Sequence, residues 1–115
     1  MTIKIKRAYE APDDGDGKRV LVDRLWPRGL TKEKAKLDLW LKEVAPSTEL
    51  RKWFAHDPAR WAEFRRRYLD ELKSHGEQLA QLKQEAKRGP VTLIFGARDV
   101  EHNEAVVLRD LLEKK

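Results

Sequence analysis

The chain has 115 residues, of which 40% are hydrophobic and 39% charged, with a net charge of +5. A chain of this length is about one domain, which leaves room for a single modest core. The sequence holds no cysteine, which excludes disulfides, thiolate metal ligands and a cysteine nucleophile. It shows no signal-peptide pattern and no apolar run of membrane-spanning length, so we expect a cytoplasmic protein that does not contact a membrane.

The first half of the chain predicts three strands and a short helix. Isoleucine and lysine alternate over residues 2–7, which predicts a strand near a sheet edge. Residues 19–25 contain a continuous apolar run, typical of a strand buried on both faces. Thr31 can cap a short helix over residues 32–36. Residues 37–44 alternate again and predict a third strand, with a helix as the alternative.

The second half predicts four helices around one strand. Ser47 and Asp57 are placed to cap the first two helices, and Ser74 has the capping-box spacing that predicts the start of a third. Residues 91–97 are apolar and β-branched, which makes them the clearest strand in the sequence. The last helix is predicted to begin within residues 100–104. Apolar residues recur at helical spacing in these segments, as at Trp61, Phe64, Tyr68, Leu69, Leu72, Leu79, Leu82, Ala86, Val107, Leu108, Leu111 and Leu112.

These elements predict one α/β domain over residues 1–115, with a four-stranded, mostly parallel sheet flanked by helices. In open α/β sheets, ligands bind outside the carboxyl ends of the strands. Residues 23–29 follow the second predicted strand, and residues 96–103 follow the last one. We therefore expect a functional site to be assembled from these two segments.

Three arginines in these segments are candidates to bind an anion. Arg24, Arg28 and Arg98 carry guanidinium groups, which match carboxylate or phosphate bidentately. Free N–H groups at the start of the last helix would add to the attraction that the arginines exert on an anion. This pattern predicts a small anionic ligand, aromatic or nucleotide-like. The alternative that stays open is a set of structural ion pairs with Asp23, Asp99 and Glu101.

Other polar and aromatic residues join the candidate site. Trp26 can stack on a flat ligand or serve as a local packing lid. If the protein is an enzyme, Asp99 and His102 are the predicted acid/base pair, with Asn103 beside them and no redox cofactor. Asp23 and His56 are further ligand-binding candidates, and His56 can also act as a general acid or base near neutral pH. The alternative for His102 is a capping or solvent-exposed role, and the alternative for His56 is a turn between helices.

The sequence supports a metal site or a nucleic-acid-binding function less well than it supports an anion-binding site. Two histidines with one aspartate would form a metal site only if folding joined them, so no metal is predicted. A nucleic-acid-associated or regulatory protein is the alternative function, because of the basic charge and the run at residues 65–67. Helical spacing instead predicts salt bridges, from Arg66 to Asp70 and from Arg67 to Glu63 and Glu71. A third alternative is an oligomer whose tryptophans anchor an interface.

Several motifs resemble the YeaO-like family of bacterial proteins, a domain-of-unknown-function group. The resemblance covers nearly the whole chain and rests on DRLWPRGL, LDLWLKEVAPSTELRKWFAHDP, WAEFRRRYLDEL and TLIFGARDVEHNEAVVL. It implies a compact α/β fold in the bacterial cytoplasm and no particular activity. Related branches carry a cysteine-histidine-arginine cluster after the final strand, whereas residues 98–103 here lack cysteine, so thiol chemistry does not carry over. The family's shared blocks match residues 23–29, 51–53, 56–57 and 99–103.

Overall fold

A four-stranded parallel sheet forms the centre of the protein. The computed structural model describes residues 2–114. The strands are β1 (Ile3–Arg7), β2 (Lys18–Leu21), β3 (Leu39–Trp40) and β4 (Val91–Phe95), in the spatial order β1-β4-β2-β3. All three neighbouring pairs are parallel. The predicted α/β fold with a mostly parallel sheet is confirmed, and β1 lies at an edge as its alternating lysines indicated.

Five helices complete the fold. They are α1 (Lys32–Ala35), α2 (Thr48–Phe54), α3 (Trp61–Leu72), α4 (Gly76–Arg88) and α5 (Glu104–Glu113). Single 3-10 turns occur at Asp14–Asp16, Lys42–Val44, Pro58–Arg60 and Lys73–His75. Within residues 2–114, none of the helices combines the length and apolar character needed to cross a membrane.

The two faces of the sheet are covered differently. On one face, Val20, Val22, Leu93 and Phe95 join the apolar side chains of α2 to α5 in the main core. On the other face, a smaller cluster of Ala8, Leu21 and Ile94 lies under Trp26, Leu30, Leu37 and Trp40. Both faces of β2 are therefore buried, as its continuous apolar run predicted.

The third predicted strand is much shorter than expected. Only Leu39 and Trp40 pair with β2, and a 3-10 turn follows at Lys42–Val44. Leu41 and Val44, three residues apart, are both buried, and the Val44 amide donates to the Leu41 carbonyl at 3.2 Å. The prediction of a strand over residues 37–44 was wrong beyond Trp40, because the core is reached there by turning rather than by alternation.

A helix begins at Gly76, within the predicted segment 74–77, but the predicted cap at Ser74 was wrong. Ser74 lies inside the 3-10 turn Lys73–His75, which joins α3 directly to α4, and His75 precedes α4 without a side-chain cap. A capping side chain needs an extended residue at the helix start, and the chain here stays nearly helical. The other caps are confirmed: Ser47 Oγ accepts from the Leu50 amide at 3.1 Å, and Asp57 Oδ1 accepts from Ala59 at 3.0 Å.

Candidate functional site

A cavity opens where β2 and β4 end. Its volume is about 210 Å³, and it lies among the segment after β2, the β4–α5 loop, and helices α2 and α3. Phe54 and Phe64 form a buried aromatic wall, and Leu25 stands exposed at the rim. The position agrees with the general location of ligand sites in open α/β sheets.

Two carboxyl groups meet in this cavity. Asp23 Oδ2 accepts a hydrogen bond from the Gly96 amide at 2.8 Å, which joins the segment after β2 to the segment after β4. A Cβ atom on Gly96 would lie 3.0 Å from that oxygen, so glycine permits the close approach. Glu104, the first residue of α5, lies next to the Asp23 side chain. Burial, and then the neighbouring Asp23 carboxylate, raise the pKa of Glu104 well above its ordinary range.

A buried phenol lies close to these acids. Tyr68 of α3 is fully buried and donates its hydroxyl to the Val44 carbonyl. Burial, and then the charge of Glu104, raise the pKa of Tyr68 well above its ordinary value. The phenol therefore stays neutral and acts as a fixed hydrogen-bond donor.

Two arginines supply positive charge to the same cavity. The Arg24 guanidinium donates to the backbone carbonyls of Ala45 and Pro46, both at 3.3 Å. Arg51 of α2 lines the cavity and is exposed to solvent. Within the part of the chain that the structure describes, neither guanidinium forms an ion pair with a carboxylate, so both retain charge that an anion can neutralise.

The β4–α5 loop is organised around Asp99. Its Oδ1 accepts from the amides of Glu101 at 2.9 Å and His102 at 3.0 Å, and its Oδ2 lies 2.8 Å from His102 Nδ1. These bonds, led by the Glu101 amide and followed by the His102 ring, lower the pKa of Asp99. Asn103 Oδ1 accepts from the Val106 amide at 3.2 Å. The expectation of free N–H groups at this helix start was wrong for these amides, since side-chain oxygens of the loop itself already occupy them.

A second, shallower cavity of about 430 Å³ adjoins the first. The two share His56, Gly96 and Ala97, and the second adds Arg98 and Asp99. Arg98 is exposed. The shared residues make the two cavities parts of one cleft across the carboxyl end of the sheet.

Some of the predicted site residues line the cleft, and others lie outside it. Trp26 donates Nε1–H to the Leu30 carbonyl at 2.6 Å and packs edge-on against Trp40 with ring centroids 5.4 Å apart. Arg28 is exposed, and its carbonyl accepts from the Tyr9 hydroxyl at 2.9 Å. Both lie outside the residues that line the cleft. The predicted residues that do line it are Asp23, Arg24, His56, Arg98, Asp99, His102 and Asn103.

Two charged residues of the cavity were not selected from the sequence. Arg51 follows the buried Leu50 on α2, and Glu104 follows the capping Asn103 on α5. The family block at residues 51–53 was the only sequence signal for Arg51, whereas Glu104 read as an ordinary acidic residue in the first turn of a helix. Arg51 and Glu104 line the same cavity because of the way α2 and α5 pack. Residue spacing along the chain does not reveal this packing.

The arginine run on α3 is held by acidic neighbours. Glu63 accepts from Arg66 at 2.7 Å and from Arg67 at 2.8 Å, and these bonds lower the pKa of Glu63 to about 2. The Arg67–Glu63 pair was predicted. The predicted pairs Arg66–Asp70 and Arg67–Glu71 are absent among the described residues, since Glu71 accepts instead from the amide and hydroxyl of Ser47.

The chemistry of the cavity is limited by what lines it. Among its described lining residues there is no serine, threonine, cysteine or lysine, so a hydroxyl, thiol or amine nucleophile is lacking there. Residues 2–114 hold no group of three or more His, Asp or Glu side chains arranged to bind a metal ion. What remains is two arginines, two histidines, an amide and a carboxyl pair around an aromatic wall.

Comparison with known proteins places the chain in a family. It is 46% identical over 112 residues to "Uncharacterized protein YeaO" of Escherichia coli K12, covering 97% of both chains. It is 44% identical over 110 residues to "Uncharacterized protein Mb3100c" of Mycobacterium bovis and to "Uncharacterized protein Rv3073c" of Mycobacterium tuberculosis, covering 96% of this chain and 92% of each relative. No solved structure matches the chain. Residues 2–115 match the family described as "Inactive DUF488-N3 subclade", and the protein belongs to that family.

Proposed function

We propose that the protein binds a small anionic ligand in the cavity between β2, β4, α2 and α5 without converting it chemically. The observation that carries the proposal is the presence on this cavity of Arg24 and Arg51, neither of which is paired with a carboxylate among residues 2–114. The described lining also lacks a hydroxyl, thiol or amine nucleophile. The word "inactive" in the family description agrees with binding without turnover. Asp99 then serves to orient the His102 ring, which contacts the ligand as a hydrogen-bonding group.

The size and walls of the cavity narrow the ligand class. At about 210 Å³ it is smaller than the roughly 300–1,000 Å³ of most ligand sites. One ring with a charged group is therefore the size to expect in the inner cavity. Phe54 and Phe64 provide an apolar wall for such a ring. We also propose that binding takes place in the cytoplasm, because a sequence without cysteine suits a reducing compartment.

A thermal-shift screen followed by calorimetry tests this proposal. The probes are benzoate, salicylate, AMP, UMP and glucose 6-phosphate. A probe present at about a hundred times its Kd stabilises the fold by about 2.7 kcal/mol, which raises the Tm clearly.

Two exposed arginines provide matched variants. Arg51→Ala removes a cavity guanidinium and should weaken a binding probe at least about tenfold. Arg28→Ala removes an exposed guanidinium outside the cleft and should leave the affinity unchanged. If no probe binds, or if Arg51→Ala binds as tightly as the parent protein, the proposal is wrong.

A further inference from the structure

Both signs of charge line the inner cavity. The half-buried Asp23 and Glu104 line it together with the buried Phe64, and Arg51 lines it from α2, where it is exposed. Arg24 is half-buried, with its guanidinium held by the carbonyls of Ala45 and Pro46. A ligand whose anionic group binds the arginines can therefore present a second group to the two acids.

We propose that the ligand is amphoteric: its anionic group binds Arg24 and Arg51, and an N–H donor, amino or amidino, binds the Asp23–Glu104 pair. This inference rests on the proposed function and adds the second recognition group. The ligand class is a small aromatic molecule that carries both an acid and a basic nitrogen.

The surroundings of the two acids support this assignment. Asp23 Oδ2 accepts a hydrogen bond from the Gly96 amide at 2.8 Å, and Glu104 lies next to the Asp23 side chain. Burial and the neighbouring Asp23 carboxylate both raise the pKa of Glu104 and so favour its protonated form. The remaining oxygen lone pairs of the two acids are acceptors, so the group that complements them is a donor, and a positively charged donor gains most.

The surroundings of the pair supply no internal cation at bonding distance. Among residues 2–114, neither Asp23 nor Glu104 forms a salt bridge. Tyr68, the neutral phenol of α3, directs its hydroxyl to Val44 rather than to the acids. The other charged or titratable side chains that line the cavity are Arg24, Arg51, His56 and His102. The cationic hydrogen-bond donor that the protein does not supply to Asp23 and Glu104 is therefore supplied by a nitrogen of the ligand.

Two matched sets of probes test the inference by calorimetry on the full chain. The first is phenylalanine, phenylpropionate and phenethylamine, which present both charges, the anion alone and the cation alone on one skeleton. The second is para-aminomethylbenzoate, para-toluate and para-methylbenzylamine, in which the two charges lie further apart. In at least one set, the amphoteric member should bind about tenfold or more tightly than either partner, as expected for one charge-assisted hydrogen bond.

Two variants test whether the preference for the amphoteric probe depends on Asp23 and Glu104. Glu104→Gln keeps the Asp23 charge and a hydrogen-bonding side chain, so the preference for the amphoteric probe should persist. The double variant Asp23→Asn with Glu104→Gln removes the negative charge and should bring the amphoteric and anion-only probes to equal affinity. The Tm of each variant shows whether it is folded, and the comparison of probes on the parent protein does not depend on either variant.

The outcomes separate this inference from the proposed function. If anion-only probes bind as tightly as amphoteric ones to the parent protein, the acid pair does not contact the ligand, and only this inference fails. If the double variant keeps the preference, the nitrogen binds elsewhere, and the inference fails again. If neither these probes nor the anions tested above bind, the proposed function itself is wrong.

Discussion

The chain leaves α2 through two consecutive residues with positive φ. Ala55 has φ 47° and His56 has φ 56°, and neither is glycine. The left-handed region costs an L-residue about 1–2 kcal/mol. The turn brings the His56 ring to the mouth of the cleft, where it lines both cavities. Backbone strain of this kind is typical of functional positions, and here it is located beside the candidate site.

Ala55→Gly should raise the free energy of unfolding by about 1 kcal/mol, because glycine adopts this conformation without steric cost. Urea unfolding measures the change. The matched control is Ala80→Gly, at an exposed position in the interior of α4. That substitution should lower the stability by about 1 kcal/mol. If Ala55→Gly is destabilising as well, the left-handed residue carries no relievable strain.

Glu104→Gln should stabilise the protein increasingly as the pH rises. Burial and the Asp23 carboxylate raise the folded-state pKa of Glu104, so the folded protein keeps a proton that the unfolded chain releases above its ordinary pKa of 4.5. The free energy of unfolding of the parent protein therefore falls above that pH, by up to about 1.4 kcal/mol per pH unit. Glutamine does not titrate and removes this loss. Thermal melts from pH 4 to pH 8 measure the difference, and a difference independent of pH would contradict a raised pKa of Glu104 in the folded protein.

At the scale of elements, Tyr68 couples α3 to the cavity rim. Its buried hydroxyl donates to the Val44 carbonyl in the 3-10 turn Lys42–Val44. The next two residues, Ala45 and Pro46, accept from the Arg24 guanidinium. One helix thus fixes the turn that holds Arg24, an arginine that lines the cavity.

Tyr68→Phe should cost about 1–3 kcal/mol of stability, because the buried Val44 carbonyl loses its side-chain donor. Tyr9→Phe is the control, since Tyr9 is 47% exposed and its hydroxyl donates to a surface carbonyl of Arg28. Its cost should stay within about 0.5 kcal/mol. Equal losses in urea unfolding for the two variants would show that burial of the Tyr68 hydrogen bond has no special weight.

The type and order of most elements were predictable because their signals are local. The apolar run of β4 and the caps at Ser47 and Asp57 depend on neighbouring residues only. The wrong predictions concern segments whose conformation depends on tertiary packing. Ser74 has the right spacing for a cap, but the chain passes from α3 to α4 without the extended residue that a cap requires.

The position of the site could be predicted from the sequence, but the full set of residues that line it could not. Strand ends in a parallel sheet share one edge, so the segments holding Asp23 and His102 could be expected to meet. Arg28 and Trp26 follow the same strand, yet Trp26 turns to the opposite face and packs on Trp40. Arg51 enters from a helix, and its approach is set by tertiary packing.

At the scale of the whole molecule, an internal ion cluster lies where β2 begins, whereas the cleft lies where β2 ends. Asp16 Oδ2 accepts from Arg19 at 2.5 Å, Asp16 Oδ1 accepts from Lys6 at 3.2 Å, and the Arg19 guanidinium also donates to the Ala35 carbonyl. Asp16 and Arg19 are 5% and 4% exposed. Burial opposes ionisation of Asp16, but hydrogen bonds from the Asp13 amide, Lys6 and Arg19 outweigh it and lower its pKa.

Asp16→Asn should therefore cost about 3 kcal/mol of stability at neutral pH, because the buried Arg19 loses the carboxylate that neutralises it. The cost should shrink as the pH falls through the lowered pKa of Asp16, where the parent protein loses the same charge. Asp14→Asn, at an exposed position in the same 3-10 turn, should change stability by less than about 0.5 kcal/mol. Urea unfolding at several pH values measures both variants. Any probe that binds the parent protein should bind folded Asp16→Asn with unchanged affinity, since the substitution lies away from the cleft. A weakened affinity would show instead that the two ends of the sheet are energetically coupled.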